Sequence, residues 1–430
     1  MRVWLIKREE RVPLNEHGND RLLRMGSLAF ALAARGHEVV WWASSFDHWR
    51  KRQVVTADAA VQLTENLEAR LLKGCGYRRN VSPSRFVDEA IVSRKLSSWA
   101  RRDPKQPDLI VSALPSVELC RAAVQFGRAA RVPVVLDMRD MWPDIFVEMS
   151  PKMLRPVARL LFQPLFRRAH QACAGAVAIT GITEAFVDWG VSRANRPRTP
   201  WDRCFPFGYA SRPPSAERVA EAERFWDGLG VRADGHFTVS FVGSLDNQRD
   251  IATVIEAARW LAADRVDVRF VICGEGERLA HFRGASADLP NVLWPGWIDA
   301  AAIYVLLRRS AAGLNPMPER FDYLASINNK AIEYLSAGVP VISSPARGVL
   351  AALVREQQCG LCYARGDVDG LVRLLGQLHR DAPLRRSLSA NASRLFRDRF
   401  TAEKVYADMC DHLEHIACSF RSGRAEAVTA

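Results

Sequence analysis

Short, mostly apolar runs recur along this chain at residues 3–6, 108–114, 132–138 and 175–180, and again at 237–243, 268–274 and 311–316. A strand with one wet face alternates apolar and polar residues. A run without alternation is buried on both faces, as in a parallel sheet covered by helices. Helical spacing fills the intervals: Leu22, Met25, Leu28, Ala29 and Leu32 share one face of residues 22–34. A turn at Gly36 then leads into the run EVVWW. Strand, loop, helix, strand is the opening of a doubly wound α/β domain, whose ligand loops lie at the carboxyl ends of the strands. No GxGxxG turn is present, so dinucleotide binding is unsupported.

The 430 residues exceed one ordinary domain and predict two, each with its own core. A Pro-rich segment at 197–214 marks the change, and the alternation restarts at 237. The chain is 48% hydrophobic and 25% charged, as a globular protein is. No apolar run approaches a membrane span, and the first strand is too short for a signal peptide. Nine scattered cysteines fit reduced thiols, hence a cytoplasmic setting. The lone CxxC of Cys359 and Cys362 is weak evidence for zinc, and no metal is expected. A net charge of +12 points to an anionic partner, but no nucleic-acid motif accompanies it.

Two stretches combine bases with apolar residues. Residues 69–87 carry Arg70, Lys73, Arg78, Arg79 and Arg85 without an acid. Residues 149–175 carry Lys152, Arg155, Arg159, Arg167 and Arg168, with Pro156 and Pro164 dividing them into short helices. The first reads as a solvated charged face or, through Leu71, Leu72, Tyr77 and Phe86, as a surface that docks on anionic lipid headgroups; the second can lie on an anionic inner-leaflet surface or pack its apolar face into the core.

The richest motif is NPMPERFDYLASINNKAIEYLSAGVPVISSP, residues 315–345. Asn328 and Asn329 are good N-cap residues, Gly338 suits a left-handed C-terminal cap, Pro340 stops the helix, and residues 339–343 read as a buried strand. Lys330 and Glu333 share a face. A helix N-terminus with a lysine suits a phosphate, and a carboxylate one turn on can grip a sugar diol. A surface helix with an i,i+3 ion pair fits the same residues. In RDMWPD, Arg139, Asp140 and Asp144 stand just past a strand end. Arg139 can hold a phosphate or sugar hydroxyl and Asp140 an acceptor hydroxyl, or the two can simply pair. His48 follows the second strand, either touching a ligand or packed by Trp49.

KAIEYLSAGVPVISS resembles the donor-site helix of retaining glycosyltransferases of the GT-B fold, glycosyltransferase family 4. Glu333 matches the second glutamate of that helix, and Gly338, Pro340 and Val341 match the residues after it. The first glutamate falls at Ala325, with Asp322 and Glu319 nearby as replacements. FVGSLDNQRDIATVIEA resembles the family's phosphate loop, with Gly243 for close backbone approach, Arg249 replacing a lysine and Ser244 replacing an arginine. Gly274-Glu275-Gly276 matches its G-x-G turn, and NVLWPGWID its base-clasping segment around Trp297 and Ile298. CFPFGYA resembles the hinge strand, departing at Tyr209-Ala210 where the family has an acid. The S-I-N-N-K and R-D-x-W-P variants resemble the branch that assembles bacterial surface polysaccharides.

The resemblance implies an α/β chain of the GT-B fold: two facing Rossmann-like domains with parallel sheets and an interdomain cleft. Residues 1–208 would bind acceptor and 209–395 the donor, with a helix at 396–420 returning to the first domain and a disordered tail at 421–430. Glu333, Arg249, Lys330, Arg139 and Asp140 become the catalytic candidates. Gly243, Ser244, Gly274, Glu275, Ile298, Asp322, Asn328 and Asn329 join the donor site, and His17, Gly18, Asn19 and Asp144 the acceptor site. The implied partners are a nucleotide-sugar donor, with a UDP-sugar favoured, and a lipid-linked or saccharide acceptor, with no cofactor. A sugar-nucleotide epimerase or hydrolase, or a non-catalytic basic binding protein, are the alternatives on the same fold.

Overall fold

The computed structural model describes residues 1–14, 22–80, 82–210 and 212–429, with side chains through Ser422. The chain forms two compact units, Met1–Pro206 with Glu403–Ala430, and Phe207–Ala402.

The first unit is built on an eight-stranded sheet of β1 (Arg2–Ile6), β2 (Glu38–Ser44), β3 (Ala59–Thr64), β4 (Leu67–Leu72), β5 (Leu109–Ala113), β6 (Val134–Met138), β7 (Ala178–Gly181) and β8 (Arg203–Cys204). Their order is β8-β7-β6-β5-β1-β2-β4-β3, and every neighbouring pair is parallel except β3 with β4. Every residue of β1, β5 and β6 is buried, which is why these strands do not alternate. The chain winds outward from β1 through β2, then returns to lay β5 on the other side of β1. The winding therefore reverses between β1 and β5.

The second unit has a six-stranded, wholly parallel sheet of β9 (Phe237–Val242), β10 (Val268–Cys273), β11 (Val292–Gly296), β12 (Ala312–Pro316), β13 (Val341–Ser344) and β14 (Gly360–Cys362). Its order, β11-β10-β9-β12-β13-β14, reverses between β9 and β12. Val239, Phe241, Phe270 and Ile272 pack on one side with Val254 and Leu261 of the helix Ile251–Ala263. Val271 and Cys273 pack on the other with Trp226 and Leu306. Each large side chain so buried contributes about 1.5–3 kcal/mol. The two ends of this unit lie side by side: Tyr209 donates its N–H to Phe400 at 2.9 Å and accepts from Ala402 at 3.1 Å.

The stretch 69–87 begins in β4, whose Leu71 and Leu72 are buried, as is Tyr77, while Arg78 and Arg79 are exposed. Two helices follow β14, Val368–Arg380 and Ala382–Arg399. Asp381 caps the second by accepting from Leu384 N–H at 2.8 Å, and Pro383 can only begin a helix there, not continue one. The last helix, Ala402–Thr429, runs through the segment expected to be a disordered tail. No helix among the described residues is long and apolar enough to cross a membrane.

Candidate active site

Where an open parallel sheet reverses its winding, the loops after the two flanking strands diverge and leave a crevice at their carboxyl ends. In the second unit those loops follow β9 and β12. Glycines let the loops after β9 and β10 touch: a Cβ on Gly274 (φ +136°) would sit 1.8 Å from the Gly243 carbonyl oxygen. A Cβ on Gly243 would meet Lys330 Nζ at 1.9 Å, so glycine there makes room for the lysine.

Lys330 stands in the first turn of the helix Asn329–Ser336. Asn328 is the N-cap, accepting from Ala331 N–H at 3.0 Å, while its own amide donates to Asn315 on β12 at 3.0 Å. Tyr334, buried, donates its hydroxyl to Leu314 O at 3.0 Å. Cap and tyrosine fix the helix N-terminus against the end of β12. The Lys330 ammonium is buried, has no hydrogen-bond partner among the described residues, and lies 4.6 Å from the centre of the Phe241 ring. Burial first, and then Arg249, push its pKa down to about 7, against the opposing pull of Asp246 and Glu333. Arg249 makes no salt bridge among the described residues. It lies over the Tyr323 ring at 5.7 Å and touches the Met317 sulfur, and its Nε is buried without a partner. Native interiors rarely leave buried donors unpaired, so two cationic side chains converging in this state mark a place for an anion.

Glu333 is buried one turn further on and accepts a 2.8 Å hydrogen bond from the Tyr209 hydroxyl. In the sequence, Tyr209 stands out only as a departure from the family acid. That departure is the available signal, because the tyrosine reaches the site carboxylate. Ser244 and Glu275 are exposed, Ile298 is buried, and Trp297 beside it is 69% exposed. Asp322 is gripped by both arms of Arg320, at 2.5 and 2.7 Å, and Glu319 pairs with Arg347. Both acids considered as substitutes for the one missing at Ala325 thus already hold arginines.

In the first unit, His17, Gly18 and Asn19 lie outside the described residues. Arg139 does not reach out as a free cation. It donates to Asp137 at 2.6 Å and to Glu10. Asp137, buried within β6, also holds Arg24 through two 2.9 Å bonds and accepts from Thr180 at 2.9 Å. Burial pushes the Asp137 carboxyl up, but Arg24 and Arg139 outweigh it and hold the group well below the usual carboxylate range. Asp140 caps Met141 N–H at 2.9 Å, so the expected Arg139–Asp140 alternative is replaced by Arg139–Asp137. Asp144 accepts from Trp189 at 3.2 Å and Arg193 at 2.6 Å. His48 meets the Tyr77 hydroxyl at 2.5 Å and packs edge-on to Trp49; burial, and then Lys51, hold its pKa down to about 4. An aspartate inside a strand that reads as fully buried is the sequence sign of a partnered cluster, and it is a sign that motif reading passes over.

At the carboxyl end of the first sheet the basic side chains that follow β1 find their counter-charges within the chain. Lys7 donates to Leu114 O at 2.9 Å and pairs with Glu9 at 3.0 Å; Arg8 pairs with Asp88 at 2.7 Å and with Glu9 at 3.0 Å. Ser116 donates to Glu9 at 2.9 Å.

These two parallel sheets with crossover helices define an α/β chain with two Rossmann-like units and the GT-B fold of glycosyltransferases. The chain is similar to sucrose-phosphate synthase from Thermosynechococcus elongatus (TM-score 0.69, 16% identity, 97% of this chain and 99% of that one). It is also similar to Anabaena HepE in complex with UDP and glucose (0.64, 15%, 96% and 100%). A third likeness is to WaaG, a glycosyltransferase involved in lipopolysaccharide biosynthesis (0.64, 16%, 96% and 99%). Residues 236–381 match the family Glycosyl transferases group 1, a span that contains Gly243, Arg249, Lys330 and Glu333. A search of curated proteins found no match.

Proposed function

We propose that the protein is a glycosyltransferase that moves a sugar from a nucleotide-sugar donor, a UDP-sugar by preference, to a lipid-linked or saccharide acceptor, with retention at the anomeric carbon, in the building of a surface polysaccharide. The observation that carries this reading is Lys330: a buried, unpartnered ammonium at a helix N-terminus, in the winding-reversal crevice of the unit that matches the transferase family. HepE binds UDP and UDP-glucose, and WaaG acts in lipopolysaccharide biosynthesis, which supports the donor and pathway assigned here.

In the proposed reaction the bond from the anomeric carbon to the diphosphate oxygen breaks, and the acceptor oxygen bonds to that carbon on the same face. The acceptor proton passes to the departing diphosphate oxygen. Negative charge grows on the diphosphate, and Lys330, Arg249 and the free N–H groups of the helix N-terminus stabilise it. Such fixed charges act most strongly where water is excluded, and the Lys330 ammonium is buried before the donor arrives. Glu333, held by Tyr209, takes donor hydroxyls. The nucleotide sugar is itself the substrate, so the reaction uses no cofactor.

The test is a thermal-shift series with UDP, GDP, ADP, TDP and CMP on wild type and Lys330→Met. UDP at a hundred times its dissociation constant is expected to stabilise the wild type by about 2.7 kcal/mol and the variant by far less. Equal stabilisation of both proteins removes the site assignment. With UDP-sugar and no acceptor, stoichiometric release of free sugar favours a hydrolase over a transferase.

A further inference from the structure

Half-way along the first unit, the chain turns an apolar face outward. Pro151 leads into a short turn, Lys152–Leu154, and the helix Arg155–Leu161. Ala158 is the one buried residue of that helix, and the turn has none. Met153 is 92% exposed, Leu160 76% and Leu161 73%, and Leu154 and Val157 are more than half exposed. At 3.6 residues per turn, positions 153, 154, 157, 160 and 161 fall within about a third of the circumference. This is an amphipathic helix whose apolar side faces away from the core.

The helix is anchored from beneath. Phe162, at its end, stacks on Phe146 at 5.0 Å, and Phe146 meets Trp142 edge-on at 4.5 Å. The exposed face is thus presented on a fixed base. The surrounding charge has one sign, with no acid between residues 149 and 183. Of the five bases in the stretch, Arg155 pairs with Glu148 and Arg168 with Glu118. Lys152, Arg159 and Arg167 make no salt bridge among the described residues, and all three are exposed.

We propose that this helix docks the protein on an anionic lipid surface, its apolar arc in the headgroup boundary and Lys152, Arg159 and Arg167 against lipid phosphates. An apolar arc beside unpaired cations complements a bilayer interface with negative headgroups, where each such base adds attraction. The helix belongs to the first unit, and its docking does not depend on the reaction assigned to the second.

The experiment is co-sedimentation of the full chain with vesicles of equal parts phosphatidylglycerol and phosphatidylcholine, and with phosphatidylcholine alone. Wild type is expected to bind the anionic vesicles and to weaken as salt is raised. Leu160→Ser with Leu161→Ser should lose about tenfold or more in binding. Its thermal midpoint should stay near that of wild type, because both leucines are already in water. Lys152→Glu with Arg159→Glu should lose roughly fivefold or more per charge on anionic vesicles. Wild type that stays in the supernatant, or a serine variant that binds as well as wild type, overturns the proposal. Sedimentation velocity closes the other route. A concentration-dependent dimer abolished by the serine pair, with no vesicle binding, makes the face a contact between copies and also overturns it.

Discussion

The two sheets reverse their winding in the same way, between β1 and β5 in one and between β9 and β12 in the other, yet the crevices differ in charge. In the first, Lys7 and Arg8 project into the carboxyl-end region and find Glu9, Asp88 and the Leu114 carbonyl. In the second, the Lys330 ammonium is buried too but finds no hydrogen-bond partner among the described residues. A buried cation with its counter-charge built in is architecture, whereas one without has an energetic reason to take an anion from outside. The same topology thus gives a charge-paired junction in one unit and a receptive one in the other. What decides between them is whether acids such as Glu9 and Asp88 are supplied.

The largest effect should come from unbalancing the paired cluster. Glu9→Gln leaves Lys7, Arg8 and Arg85 with less counter-charge in a buried place, and a loss of about 3–5 kcal/mol is expected in urea unfolding. Gly243→Ala puts a Cβ where the Lys330 ammonium lies, so UDP-induced stabilisation should fall by most of its roughly 2.7 kcal/mol while the fold persists. Lys330→Met should act on stability in the opposite direction from Glu9→Gln, raising it by about 1–2 kcal/mol at pH 7, because it removes a buried charge with no bonded partner. A loss of stability there would erase the contrast between the crevices. Tyr209→Phe removes one hydrogen bond to Glu333 and should cost about 1 kcal/mol in transition-state stabilisation, read as kcat/KM, with unfolding changed by less.

The smallest effect is in protons. The folded state releases the Lys330 proton near pH 7, whereas an unfolded lysine keeps it to about 10.5. Between those values the unfolded chain binds more protons, so this residue's contribution to stability rises with pH across that window. The slope should vanish in Lys330→Met. Binding of a diphosphate should restore the proton, giving uptake of less than about one proton per UDP at pH 8 by calorimetry in buffers of differing ionisation enthalpy.

The parallel strands are legible because burial on both faces abolishes alternation, and their predicted bounds differ from the observed ones by a few residues. The helix Asn329–Ser336 is legible for a local reason: Asn328, Gly338 and Pro340 are residues that helix ends select by backbone chemistry. The pairing of Arg139 with Glu10 is not legible, because Glu10 is 129 positions away in sequence and no local rule links them. The lone state of Lys330 is equally hidden, since sequence spacing offers Glu333 as its mate while the structure turns that carboxylate to Tyr209. The β3–β4 hairpin escapes the sequence because alternation in a half-exposed edge pair looks the same as a basic surface stretch.

The parallel bridge between Tyr209 and Thr401 has a consequence for how such a chain can be assembled and exchanged. It brings the entry and exit of residues 207–402 next to each other, so that segment is a cassette set into the first unit through two adjacent joints. A cassette with neighbouring ends can be swapped whole, like a plug with both pins on one side, without lengthening or rerouting the host chain. The ligand preference of the second unit is then free to change by recombination at two points while the helix Arg155–Leu161 and the charge cluster around Glu9 stay as they are.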